Sequence, residues 1–172
     1  LDRLGHHDVA ILDGGLPAWL AAGGETTPIV PTPLRSRLTL ATEWPGTIDR
    51  DEVQARTGDL DLVDLRDSTR YRGDADPVDG VPGHIPGARN RPATTLLDES
   101  GLLLPPDRLQ VLLRSHGYLA DVPTVMSCGS GVTACFGALA TRVAGLADPL
   151  IYPGSYSDWV GARMPVAVGD ER

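Results

Sequence analysis

Cysteine is scarce in this chain: there are two, Cys128 and Cys135, among 172 residues. Two cannot build a disulfide framework, and no Cys/His cluster has the spacing of zinc ligands, so no metal site is expected. Long apolar runs are missing too; none approaches the roughly 20 residues of a membrane span. Leu1-Asp2-Arg3 leads into a charged, glycine-containing segment and not into a signal-peptide pattern. With so few cysteines, a reducing, cytoplasmic setting is expected. Net positive charge is also lacking. The 15 basic and 23 acidic residues give a formal charge of −8, the reverse of the basic footprint of a general nucleic-acid binder.

The composition that remains, 41% hydrophobic and 22% charged, is ordinary for a globular protein, and 172 residues suffice for one domain with a real core. Gly 20 and Pro 15 call for many turns and short elements. Val9-Ala10-Ile11-Leu12 reads as a short buried strand. Pro17 starts a short helix that Gly23-Gly24 stops. Residues 25–37 hold three prolines (Pro28, Pro31, Pro33) and lack periodicity, as a linker does. The main body is expected from Leu38 to the end, residues 38–172. Asp49 and Glu52 have capping-box spacing at the start of a helix over 49–54. Residues 60–65 alternate as a strand, and residues 73–87 form a Gly/Pro/Asp-rich loop. Pro105-Pro106 opens a helix with Leu109, Leu112 and Leu113 on one face. Strand 124–126, helix 132–143, strand 150–152 and a helix around Trp159 follow. Strands alternating with helices predict an α/β fold with a mostly parallel central sheet flanked by helices. Ligands in such sheets sit beyond the carboxyl ends of the strands. Leu12 to Trp19 also echoes Ile151 to Trp159: strand, glycine turn, short helix, tryptophan. A repeat of that period suggests two similar domains, residues 1–24 being the end of the first.

The most informative stretch is Met126-Ser127-Cys128-Gly129-Ser130-Gly131-Val132-Thr133-Ala134. A strand ends, a cysteine appears, and a loop of small residues runs into a helix. Glycines let successive backbone N–H groups turn inward, and such a nest at a helix N-terminus binds anions. The same field stabilises a thiolate, and Ser130 and Thr133 can add hydroxyl donors. A nucleophilic Cys128 on a cradle of residues 129–133 is the reading. Cysteine phosphatases share this layout but clamp phosphate with an arginine six residues on. That position is Ala134, which argues against phosphoryl chemistry.

Cys128 to Ala134 resembles the active loop of the rhodanese family, in particular its 3-mercaptopyruvate sulfurtransferase branch. Val63-Asp64-Leu65-Arg66, Arg70-Tyr71-Arg72-Gly73, Gly83-His84-Ile85-Pro86-Gly87-Ala88-Arg89-Asn90 and the closing Tyr152 to Trp159 are similar to the family's other motifs. The resemblance implies a sulfurtransferase of rhodanese-like α/β fold. Cys128 would take sulfane sulfur from a small anionic donor, 3-mercaptopyruvate or thiosulfate, as a persulfide. A thiol, cyanide or a thioredoxin-like protein would remove it, without metal or organic cofactor. Arg70 would bind the donor's carboxylate or sulfonate, a task suited to a guanidinium. Arg66 would either share that task or pair with Asp64 or Asp67. The branch usually carries a second substrate arginine before Gly83-His84; here residues 74–81 hold none. The family's site also lies between two domains, so a separate first rhodanese domain is an expected partner. The alternative to an enzyme is a non-catalytic rhodanese-like binding or regulatory module, or one half of a two-domain enzyme. Cys135 is expected to be a small core residue, Arg72 a surface charge, His84 an organiser of its turn, and His6, His7 and His116 surface residues. Trp19 and Trp159 should be core plugs.

Overall fold

The computed structural model describes residues 1, 5–35, 37, 39, 45–118 and 121–170. Four short strands form one sheet: β1 (Asp61–Asp64), β2 (Arg89–Asn90), β3 (Thr124–Ser127) and β4 (Leu150–Ile151). Their order is β2-β1-β3-β4 and every pairing is parallel, the α/β arrangement expected. Beyond β4, Thr47 adds a parallel bridge to Ile151. The helices are α1 (Gly15–Ala21), α2 (Arg50–Ala55), α3 (Ser68–Arg72), α4 (Pro106–Ser115), α5 (Val132–Val143) and α6 (Ser155–Gly161), with a 3-10 turn at Ala93–Leu96.

Alternation along the strands divides the core. Leu62 and Val125 pack on one face with Val53, Tyr152, Tyr156 and Trp159, beneath α2 and α6. Val63 and Met126 pack on the other face with Ala134 and Ala138 of α5. Leu109 and Leu113 then seat α4 on the outer side of α5, against Ala140 and Ala144. Gly137 lets α5 lie close to the sheet, since a Cβ there would stand 2.5 Å from Leu65 Cδ1. Asp49 caps α2 as expected, its carboxylate accepting from the Glu52 amide at 2.9 Å, but the Glu52 side chain takes Arg56 at 2.7 Å and does not return the bond of a capping box. No helix among the described residues is long and apolar enough to cross a membrane.

Four expectations need correction. Residues 9–12 form no strand, and Ile11 and Leu12 are largely exposed; a strand needs a hydrogen-bonding neighbour, and none lies beside them among the described residues. Trp19 is 44% exposed, its indole N–H donating to the Glu25 carbonyl, whereas Trp159 is buried and donates to Pro165. Cys135 is exposed, because the buried stripe of α5 runs through Ala134, Ala138 and Thr141 instead. His116 is half-buried, and burial with nearby Arg91 and Arg89 pushes its pKa down. Helix α3 and strand β2 were not anticipated; five- and two-residue elements are too short to show a period. The expected start of the main body at Leu38 lies outside the described residues.

Candidate active site

Strand β3 ends at Ser127, and Cys128 follows at its carboxyl end, where parallel sheets place ligands. The residue is 2% exposed. Its flank packs against Leu65, Met126 and Ala134, while it also lines a cavity of about 320 Å³ with Arg70, Ser130, Thr133 and Ser157. The loop beyond it turns through Gly131, at φ 82°, straight into α5. A side chain at 131 would place its Cβ 2.4 Å from the Pro153 carbonyl oxygen, so the close approach and the left-handed backbone both demand glycine there.

The closing turn before α6 braces this loop. The Cys128 amide donates to Ser155 Oγ at 3.1 Å, and that hydroxyl donates onward to the Tyr152 carbonyl at 2.8 Å. Ser155 holds φ 53°, an uncommon conformation for a residue with a side chain. The amides of Tyr156 and Ser157 donate to the carbonyls of Cys128 and Gly129 at 3.0 and 2.9 Å. With those carbonyls turned away, the amides of Gly129, Ser130, Gly131, Val132 and Thr133 have no acceptor among the described residues. Five consecutive open donors thus stand beside a cysteine at the start of a 12-residue helix, the kind of arrangement that favours negative charge.

The two arginines separate clearly. Arg66 is buried, its side chain 1% exposed. It donates to Asp64 from Nε and Nη2, to Asp76 from Nη1 at 3.2 Å and to the Gly83 carbonyl from Nη2 at 2.7 Å. Its guanidinium also lies 3.8 Å above the Tyr156 ring. That set of partners makes Arg66 the tie between β1, loop 74–83 and α6, although it also borders the cavity. Burial and the neighbouring carboxylates push the Tyr156 hydroxyl up to about 12, although Arg66 opposes them.

Arg70 lies over the cysteine loop; a Cβ at 129 would meet Nη2 and Nη1 at 3.4 and 3.5 Å. Its Nε donates to Asp76 at 3.3 Å and its Nη2 to Asp79 at 2.8 Å. Nη1 has no partner among the described residues. Asp79 in turn accepts from Ser157 Oγ at 2.5 Å, locking loop 74–81 to α6. Asp76, Asp79, Ser155, Ser157 and Tyr156 were not singled out from the sequence, where only their membership of a Gly/Pro/Asp loop and of the closing motif was visible. Arg72 pairs with Asp74 at the surface as expected. His84 is buried, stacks on Tyr71 at 3.8 Å and meets the Tyr71 carbonyl through Nδ1 at 2.8 Å, the turn-organising position.

Comparison with known proteins finds the model of the Rhodanese-like domain matching residues 49–162. The chain is 40% identical over 182 residues to the "Probable 3-mercaptopyruvate sulfurtransferase" of Pseudomonas aeruginosa, covering 99% of this chain and 62% of that protein. It is 36% identical over 174 residues to human 3-mercaptopyruvate sulfurtransferase, covering 97% of this chain and 58% of the relative. The chain thus spans about three fifths of the length of the curated relatives it matches. Among solved structures, the anaerobic ergothioneine biosynthesis enzyme from Chlorobium limicola superimposes with a TM-score of 0.82 at 20% identity, over 97% of this chain and 43% of that one, a likeness of fold.

Proposed function

Because the chain belongs to the rhodanese-like domain family, we propose that it is a sulfurtransferase working through a persulfide on Cys128. The observation that carries this reading is the placement of Cys128: a nucleophile at a strand's carboxyl end, beside an open cavity, a run of unpaired amides and one guanidinium edge. The Cys128 thiolate attacks the outer sulfur of thiosulfate, the S–S bond breaks and sulfite leaves. With 3-mercaptopyruvate the C–S bond breaks, the thiol proton ends on carbon, and pyruvate leaves. Either route leaves a persulfide anion facing amides 129–133, which disperse its charge as they would an oxyanion's. A thiol or cyanide then takes the outer sulfur and regenerates the thiolate. Arg70 Nη1 is the group available to a donor carboxylate or sulfonate.

Incubation with either donor, followed by mass spectrometry, is expected to add one sulfur atom to the peptide containing Cys128. Cys128→Ser should abolish both that gain and thiocyanate production from cyanide. Absence of the added sulfur with both donors would overturn the proposal.

A second reading, a half that acts only beside a first rhodanese domain of which residues 1–24 would be the end, is favoured by one observation. Exposed Ile11, Leu12 and Val132 line, with Phe136 and Leu139, an apolar cavity that shares Ala93, Thr94 and Thr133 with the cavity at Cys128. Activity measured with and without a separately expressed first domain decides between them. Full turnover by the chain alone would dispose of the second reading.

A further inference from the structure

We propose that Asp79 selects donors by charge, favouring monoanionic over dianionic sulfur donors; the substrates named rest on the sulfur-transfer reading above, while the electrostatics can be tested without it. The argument starts from the composition of the network around the cavity. The chain contains no lysine, its 15 basic residues all being arginine. The network holds two guanidiniums, Arg66 and Arg70, against four carboxylates: Asp64, Asp67, Asp76 and Asp79. That is a formal excess of two negative charges. Both arginines border the cavity, but the Arg66 side chain is 1% exposed with Nε, Nη1 and Nη2 all committed, so Arg70, 19% exposed, is the cation with a nitrogen left to offer a donor.

Asp79 is placed to govern how much of the Arg70 charge a donor feels. Its side chain is 6% exposed, held by Arg70 Nη2 on one oxygen and Ser157 Oγ on the other. Asp76, fully enclosed, takes Nε. Two of the three guanidinium nitrogens are therefore committed to carboxylates, and Arg70 meets a donor as a largely neutralised group with Nη1 to offer. A Coulomb energy scales with the charge of the donor, so carboxylate charge fixed behind Arg70 disfavours thiosulfate, a dianion, twice as strongly as 3-mercaptopyruvate, a monoanion. Asp79 is a positioning and selectivity residue here; it does not touch the sulfur.

Asp79→Asn tests this with little change of shape, since the amide oxygen can accept from Arg70 and the amide nitrogen can donate to Ser157 Oγ. Removing one charge at this range should strengthen capture of a monoanion about threefold and of a dianion about tenfold, the square of the first factor. The direct measurement is the alkylation rate of Cys128 by anionic iodoacetate relative to neutral iodoacetamide, resolved from Cys135 by peptide mapping. That ratio should rise about threefold in Asp79→Asn and stay at the parent value in Asp79→Glu. The ratio of kcat/KM for thiosulfate to that for 3-mercaptopyruvate should rise by a similar factor. Val78→Lys, which adds a cation at the cavity rim on a side chain that takes no part in the network and keeps the Val78 amide on Asp76, should move both ratios the same way should Asp79→Asn fold poorly. An iodoacetate to iodoacetamide ratio that neither substitution changes would overturn the inference. Failure of the parent protein to form a persulfide with either donor would instead remove the sulfur-transfer reading and leave the alkylation ratio to decide the charge effect.

Discussion

Replacing Gly131 with alanine should damage the site more than any other single methyl group added to it. The backbone at Gly131 has φ 82°, where a residue with a Cβ is disfavoured by roughly 1–2 kcal/mol. The new methyl would also stand 2.4 Å from the Pro153 carbonyl oxygen and 3.1 Å from its carbon. Those atoms are backbone in the turn that supplies Ser155 to the Cys128 amide, so they cannot swing aside as a side-chain tip could. Overpacking of that kind adds about 1–3 kcal/mol. The total is about 2–5 kcal/mol, and a loss of ~3 kcal/mol would lower the Tm by roughly 6–12 °C in a domain of this size. Gly145→Ala is the control. Gly145 has a similar φ of 68° but nothing within 4 Å of the added Cβ, so it carries the conformational part alone. Thermal unfolding of both variants, with the alkylation rate of Cys128 measured well below each transition, separates the two contributions. Gly131→Ala should be the less stable by at least about 1 kcal/mol, the lower end of the overpacking range, and its cysteine should react at an altered rate while still folded. Equal Tm shifts for the two variants would refute the close approach of loop 128–131 to the closing turn.

Three further outcomes are expected. Arg66→Met removes the countercharge of buried Asp64 and Asp76 and should destabilise the chain by about 3–5 kcal/mol in urea titrations at neutral pH; a loss below about 1 kcal/mol would show that those carboxylates find other partners. Burial pushes the Asp76 carboxyl up, but hydrogen bonds from the Asp79 and Val78 amides and from Arg70 outweigh it and hold the group below its ordinary 3.8. Its contribution to stability is therefore present above that value and lost as pH falls through the lower folded one, so Asp76→Asn should flatten the acid side of a stability profile measured between about pH 5 and 3. Cys135→Ser, on the exposed side of α5, should change stability by no more than about 0.5 kcal/mol and leave sulfur loading of Cys128 intact.

The longer strands and helices, the parallel sheet and the position of Cys128 at a strand end were legible in the sequence by itself, while α3 and β2 were not, because the former follow from local signals: alternation in residues 60–65, the Asp49 cap, and glycines flanking a cysteine between a strand and a helix. The phase of α5 was not, and Cys135 was misplaced. A helix of Ala, Gly, Val and Thr has too little contrast between its faces to say which one meets the sheet until Gly137 and Ala134 are seen against Leu65 and Met126. The different surroundings of Arg66 and Arg70 were likewise visible only in the tertiary structure. Both arginines lie near the cysteine loop, yet Arg66 is enclosed by Asp64, Asp76, Gly83 and Tyr156, while Arg70 keeps one edge toward the cavity. Asp79 shows the reason most simply. Its partner Ser157 lies 78 residues further along the chain, and no periodicity encodes which of several carboxylates in a Gly/Pro/Asp loop will meet a hydroxyl on the last helix.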